Sequence, residues 1–180
     1  MDAQDTRHRR SLRLQGYDYA QAGAYFVTIC TQRRRCLFGE VVDGAMRLSS
    51  AGQLAATVWH NMLERFPGVE LDIFVVMPNH LHGIIVLMDS ESTDAGSRAG
   101  TRPAPTIGDV VGAYKSLFTL QFMEGVRSKR WPAFDRRVWQ RNCYEHVIRD
   151  EHDLTRVRRY IDENPLRWEF DQENPQRKTS

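Results

Sequence analysis

Apolar residues recur along the chain at two spacings, which predict strands in some segments and helices in others. The segment AYFVTICT (24–31) is rich in β-branched and aromatic residues and predicts a strand. In VELDIFVVMP (69–78) apolar residues fall at every second position, and HLHGIIVLM (80–88) follows after a Pro-Asn turn signal. These segments predict two adjacent antiparallel strands, and VWQRNCYEHVI (138–148) predicts a further extended one.

Three other segments place their apolar residues at the spacing of an amphipathic helix. Polar residues that favour helix N-caps precede two of them, and a proline follows the first and the last. The predicted helices are 51–66 after Ser49 or Ser50, 107–123, and 151–164 after Asp150. An Asp43-Gly44 pair between short apolar pieces predicts a small hairpin before the first helix.

The main elements therefore follow one another as strand, helix, strand, strand, helix, strand, helix. The simplest packing for this order is an α+β fold of ferredoxin-like type, with an antiparallel sheet and helices on one face. A chain of 180 residues suits one domain with a substantial core. We expect a basic arm at 1–22, the domain at 23–168 with a flexible connection at 89–106, and a loose C-terminal tail at 169–180.

Composition argues against a membrane-spanning or secreted protein. No apolar run approaches the length of about 20 residues that spans a membrane, and the N-terminal charges are not followed by a secretory signal. The three cysteines form no CxxC pair and leave an odd thiol, which fits a reducing cytoplasm. The predicted setting is cytoplasmic, with no membrane partner.

The net charge is only +2, but basic residues cluster in four segments, 7–13, 33–35, 127–137 and 156–159. Such clusters are often solvated surface, yet four of them, one interleaved with aromatic rings, favour contact with nucleic acid. Tryptophans 131 and 139 either stack on bases or belong to the core. The candidate DNA-binding residues are Arg33, Arg34, Arg35, Arg130, Trp131, Arg136, Arg137 and Arg156.

His80 and His82 are the first candidates for chemistry. Side chains two apart on a strand point to the same face, so both imidazoles can reach one metal ion. The alternative is a pair of structural histidines, because the HxH pattern alone is not specific.

The last predicted helix adds a second pair. Tyr160 and Asn164 are four residues apart and share a face at the border of the apolar stripe. A tyrosine hydroxyl can act as a nucleophile, and an asparagine oxygen can bind a hard cation. The alternative is a tyrosine that only packs its ring at the helix border and an asparagine that ends the helix.

Taken together, these segments resemble the REP-associated tyrosine transposases and their relatives of the insertion-sequence-200 type. VVMPNHLHGIIVL is similar to their HUH motif, in which two histidines flank a hydrophobic residue. AYFVTICTQRRRCLFG is similar to their first strand and basic turn, and residues 138–168 to their C-terminal block, in which a tyrosine stands shortly before Asn-Pro. The resemblance runs over residues 23–168 apart from the predicted flexible connection, and implies the HUH endonuclease/transposase fold.

The resemblance also implies a mechanism. Mg²⁺ or Mn²⁺ is held by His80, His82 and Asn164, and Tyr160 attacks single-stranded DNA beside a hairpin to give a 5′-phosphotyrosine bond. Tyr144 is a competing tyrosine, but it lies outside the helix that carries the nucleophile in the family. Cys143 departs from the aromatic residue expected there in many relatives, which bears on local packing more than on catalysis.

The expected protein is thus a metal-dependent single-stranded DNA endonuclease and strand transferase, associated with the nucleoid and either monomeric or homodimeric. One alternative is a catalytically silent protein that binds hairpin DNA. Another is a zinc hydrolase that uses His80, His82 and His146.

Overall fold

The computed structural model describes residues 22–88 and 104–177. The predicted basic arm, most of the predicted flexible connection and the last three residues lie outside the described residues. Four strands form an antiparallel sheet: β1 Gly23–Cys30, β4 Val69–Val76, β5 His80–Leu87 and β6 Tyr144–Ile148. Their order across the sheet is β4-β5-β1-β6. This is the order of a ferredoxin-like sheet, and the predicted α+β class is confirmed.

One face of the sheet is closed by two long helices, α1 (Ser50–His60) and α3 (Ile107–Arg127). Their apolar stripes pack on the odd-numbered side chains of β1 and β5 and form the main core. The Tyr114 hydroxyl, fully buried, donates to the Ala55 carbonyl at 3.2 Å and joins the two helices. A short helix, α2 (Met62–Arg65), continues from α1.

The opposite face is covered in part by the last helix, α4 (Glu151–Asp162), which packs against β4. Its buried residues Val157 and Ile161 contact Phe26 and Ile84, which point away from the main core. The expectation that all helices lie on one face is therefore wrong for α4. The reason is the alternation of side chains along β1 and β5, whose even-numbered residues are apolar at one end of the sheet and need a cover of their own.

Local signals placed several elements correctly. The Ser49 side chain accepts from the Gly52 backbone nitrogen at the start of α1, and Asp150 caps α4 in the same way. The Asp-Gly turn joins β2 (Gly39–Val42) to β3 (Ala45–Leu48) in a separate hairpin. No helix among the described residues is long and apolar enough to cross a membrane.

The C-terminal segment is not the loose tail that we expected. Residues 165–170 form a 3-10 helix, and Glu173 and Asn174 beyond it are buried. The Glu173 carbonyl accepts from Asn79 Nδ2 at 2.7 Å, and its carboxylate pairs with Arg34 at 3.0 Å. These contacts hold residues 165–177 against the end of the sheet where His80 lies.

Candidate active site

His80 and His82 lie at the start of β5 and point to the face of the sheet that carries α4. Both are buried, with 0 % and 3 % of their surface exposed. Their Nε2 atoms are 2.9 Å apart, and the two rings meet nearly edge to face. The strand geometry predicted from the HxH spacing therefore brings both imidazoles to one point.

The proton of His80 is positioned by Asn79. The Asn79 Nδ2 group donates to the carbonyl oxygens of Arg34 and Glu173, at 3.1 and 2.7 Å, which fixes the orientation of its amide. The amide oxygen, which can only accept, then lies 2.8 Å from His80 Nδ1. That nitrogen must carry the proton, so Nε2 of neutral His80 directs its lone pair toward His82.

His82 is held by Thr28, whose hydroxyl oxygen lies 2.9 Å from His82 Nδ1. Two lone pairs 2.9 Å apart repel, so in the neutral pair the Nε2–H of His82 donates to His80 and the Thr28 hydroxyl donates to Nδ1. A hydroxyl can also accept. If the proton moves to Nδ1, both Nε2 lone pairs become available to a cation.

Burial keeps both imidazoles neutral. It lowers the pKa of His80 to about 3, with a further contribution from the Arg34 guanidinium. Burial and the neighbouring His80 also lower the pKa of His82 well below its ordinary value, against a smaller opposing effect of Glu173. Neutral imidazole is the form that binds metal ions.

Tyr160, near the end of α4, reaches the same point. Its hydroxyl lies 3.4 Å from His82 Nε2, and its ring packs edge-on against Phe26 and His82. The side chain remains 40 % exposed. Burial raises the pKa of the phenol, the nearby Asp171 carboxylate adds to this, and a hydrogen bond from the Asn164 side chain opposes it. The phenol is therefore protonated near neutral pH in this arrangement.

Two further oxygen donors border the histidines. Asn164 is buried, and its Oδ1 atom has no hydrogen-bond partner among the described residues. Asp171 places a carboxylate oxygen within 4.8 Å of the ligand nitrogens of His80 and His82. Burial raises the pKa of Asp171. A cluster of two imidazoles and one carboxylate is compatible with a divalent metal ion.

The sequence did not predict a role for Asp171 and Glu173, because the segment after Trp168 was expected to be a tail. The Trp168 ring centroid lies 6.0 Å from that of His80, and Glu173 lies close enough to act on His82. The residues around Asp171 and Glu173 show neither the helical nor the strand spacing of apolar positions. The one available signal for an ordered segment was Pro165, which can begin a new helical turn, followed by many polar residues.

Two curated proteins, both from Haemophilus influenzae, match the chain. The first, described only as an uncharacterized protein, is 41 % identical over 176 residues, covering 92 % of each chain. The chain and this protein belong to one family. The second is named "Putative REP-associated tyrosine transposase" and is 26 % identical over 153 residues, covering 83 % of this chain and 74 % of that protein. No family model matches the chain.

A solved structure of a REP-associated tyrosine transposase bound to a REP hairpin superposes with a TM-score of 0.57 and 20 % identity. The match covers 84 % of this chain and 71 % of that one. The chain has the fold of a REP-associated tyrosine transposase. The resemblance seen in the sequence is therefore confirmed.

The candidate DNA-binding residues fall into separate places on this fold. Arg33, Arg34 and Arg35 lie in the turn after β1, and Arg136 and Arg137 lie in the loop that approaches it from before β6. Arg130 follows α3 and stacks over the Trp131 ring. Arg156 lies on α4, paired with Asp153.

The two tryptophans considered for base stacking have structural contacts. Trp139 is buried in the main core, which confirms the core alternative for that residue. Trp131 is half-buried on Phe122, and its Nε1 donates to the Ser50 hydroxyl at 2.6 Å.

Two residues were alternatives to those at the site, Tyr144 as the nucleophile and His146 as a zinc ligand. Tyr144, 44 % exposed, borders Phe26 on the same face as Tyr160 but on β6. His146 does not join the cluster formed by His80, His82 and Asp171 among the described residues. Its Nε2 atom instead lies 2.8 Å from an Asp153 carboxylate oxygen.

Proposed function

We propose that this protein is a metal-dependent endonuclease and strand transferase for single-stranded DNA, acting at hairpin-forming sequences in the cytoplasm. The observation that carries the proposal is the convergence of three side chains from two elements. The Tyr160 hydroxyl lies 3.4 Å from His82 Nε2, which in turn lies 2.9 Å from His80 Nε2. A nucleophile beside two imidazole ligands is what phosphodiester transfer through a tyrosine requires.

The residues of the site fit a divalent cation. The Asn79 amide directs the His80 Nε2 lone pair inward, and the Thr28 hydroxyl allows His82 to do the same. Asn164 contributes a buried oxygen without a partner, and Asp171 a carboxylate. Two nitrogens with oxygen ligands suit Mn²⁺ or Mg²⁺ better than structural zinc. When bound, the cation would polarise the scissile phosphate and favour the phenolate.

Tyr160 would perform the transfer. Its oxygen attacks the phosphorus, the new bond joins the tyrosine to the 5′-phosphate, and the bond from phosphorus to the 3′-oxygen breaks. The phenol loses its proton and the leaving oxygen gains one, which gives a free 3′-hydroxyl. The phosphotyrosine bond keeps the energy of the broken linkage, so a second strand end can be joined without ATP.

The choice of DNA as partner rests on the relatives and on charge. The neighbouring structure is bound to a REP hairpin, and a relative carries the name of a tyrosine transposase. On this chain, three arginines lie in the turn after β1, and one of them, Arg34, pairs with Glu173, which acts on His82. Guanidinium groups there would contact the phosphates that flank the cleaved linkage.

The test offers the protein single-stranded oligonucleotides that form hairpins, with Mn²⁺ or Mg²⁺. We expect a protein–DNA adduct that survives denaturation, that disappears in Tyr160→Phe and that persists in the matched control Tyr144→Phe. The control is matched because Tyr144 is exposed to a similar extent, 44 % against 40 %, and its ring also packs on Phe26. Adduct loss in Tyr144→Phe alone would reassign the nucleophile, and DNA binding without any adduct would instead support a silent hairpin-binding protein.

A further inference from the structure

Two arginine-bearing loops that lie about a hundred residues apart in the chain are joined in space. The first arginine loop, 31–35, follows β1, and the second arginine loop, 133–137, precedes β6. The Gln32 backbone nitrogen donates to the Val138 carbonyl at 2.7 Å, and the Arg35 guanidinium donates to the Ala133 carbonyl at 3.3 Å. Thr31 and Trp139 form an antiparallel bridge between the same segments. These contacts join the two loops side by side.

Both loops hold arginines in the left-handed backbone region. The φ angles are 57° at Arg33, 53° at Arg34 and 61° at Arg136. For residues with a Cβ atom this conformation costs on the order of 1 kcal/mol each, and glycine or asparagine would adopt it more readily. The sequence nonetheless places arginine at all three positions.

The loops border a polar cavity of about 170 Å³ that is open to solvent and is lined by Gln32, Arg33, Asp135, Arg136 and Arg137. This volume is several times what one water needs. Asp135 lies 3.5 Å from Arg33, and both side chains are well exposed. Arg136 and Arg137 have no ion pair with any described acidic residue, so the guanidinium groups outnumber the one carboxylate.

The cavity lies close to the histidines. Cys30, the last residue of β1, is paired with His80, and the Thr31 nitrogen donates to the Asn79 carbonyl at 2.8 Å. Arg33 is the third residue after Cys30, so their Cα atoms are at most about 10 Å apart. A DNA strand whose phosphate reached the histidines would bring a neighbouring phosphate within reach of this cavity.

We propose that the joined arginine loops form a seat for one backbone phosphate of single-stranded DNA, adjacent to the linkage that is cut. This inference rests on the proposed function and adds to it the place where one DNA phosphate binds. Paired guanidinium groups suit phosphate because their N–H groups bind its oxygens in a fork. The hydrogen bond from the Gln32 nitrogen to the Val138 carbonyl and the bridge between Thr31 and Trp139 fix the backbone that carries the arginines, so less of the backbone has to be ordered on binding.

The test compares Arg33→Asn and Arg136→Asn with Lys129→Asn, all in Tyr160→Phe protein so that binding is measured without cleavage. Lys129 is also basic, exposed and in the left-handed region, with φ of 58°, but it does not line the cavity. Asparagine tolerates this backbone, so all three variants should melt at or above the parent temperature. We expect each cavity variant to bind a hairpin oligonucleotide about tenfold more weakly. The slope of log affinity against log salt should fall by about 0.7.

A second measurement locates the phosphate. Methylphosphonates, which are uncharged, replace the oligonucleotide phosphates one at a time. We expect one position next to the cleavage site to weaken binding to the parent and to Lys129→Asn but not to Arg136→Asn.

The outcomes are separable. No DNA binding by the parent would overturn the proposed function together with the seat. Equal weakening in all three variants, or no position whose effect depends on Arg136, would overturn the seat alone.

Discussion

The two faces of the sheet are built for different tasks. On the face that carries α1 and α3, large apolar side chains such as Trp59, Tyr114 and Phe118 are fully buried against one another. On the face that carries α4, the buried groups include His80 and His82, which are polar and kept neutral by burial. The difference indicates that stability comes mostly from the first face, whereas the second retains buried polar groups that need hydrogen bonds from Asn79 and Thr28 to offset the cost of their burial.

The largest expected effect is on the apolar face. Trp59 is almost completely buried, and its ring lies 5.8 Å from that of Phe74 and 5.6 Å from that of Tyr114. We expect Trp59→Ala to lower the free energy of unfolding by about 3–5 kcal/mol in urea denaturation, because it leaves a large cavity. Trp59→Phe is the control. It should cost much less, since it also removes an Nε1–H group that has no partner in the described part of the chain. If Trp59→Ala lowered the free energy of unfolding by less than about 1 kcal/mol, this face would not be the main source of stability.

The polar face should instead respond to metal. Mn²⁺ that binds only the folded protein should raise its stability by about 2.7 kcal/mol at one hundred times the dissociation constant. In a thermal melt this stabilisation appears as a higher melting temperature with Mn²⁺ than without it. We expect His80→Ala and His82→Ala to abolish that increase. The exposed His152→Ala variant is the control and should keep it. A rise that persists without both site histidines would place the metal elsewhere.

A smaller effect comes from the contact between β5 and α1. A Cβ atom on Gly83 would lie 2.4 Å from the Trp59 ring, whereas one on Gly112 in α3 would meet nothing within 4 Å. We expect Gly83→Ala to destabilise by about 1–3 kcal/mol through overpacking. Gly112→Ala should stabilise by up to about 1 kcal/mol through its helix preference. Calorimetry on both variants gives the sign of each change in unfolding free energy. No change for Gly83→Ala would mean that β5 and α1 are farther apart than the 2.4 Å approach implies.

The same difference between the faces explains what the sequence could predict. The helices of the apolar face are encoded locally, by Ser49 at a cap and by apolar stripes at regular spacing. The HxH spacing likewise places two imidazoles together, because alternation along a strand is a local property.

What the sequence did not predict depends on distant contacts. The Asn79 side chain donates a hydrogen bond to the Glu173 carbonyl, 94 residues away in the chain. No spacing of residues in the C-terminal segment predicts that contact. Asp171 reaches the histidines for the same reason, since its position follows from how residues 165–170 turn after α4. The cover of the second face by α4 was also missed, because an amphipathic stripe shows that a helix is buried but not on which face.

The most direct measurement identifies the residue that becomes joined to DNA. A hairpin oligonucleotide labelled on the 3′ side of the cut is incubated with the protein and Mn²⁺, the adduct is digested, and the modified peptide is sequenced by mass spectrometry. The account predicts that the peptide containing Tyr160 carries the label through a 5′-phosphate. A label on Tyr144, or a Tyr160 peptide joined through a 3′-phosphate to the unlabelled fragment from the 5′ side of the cut, would contradict it.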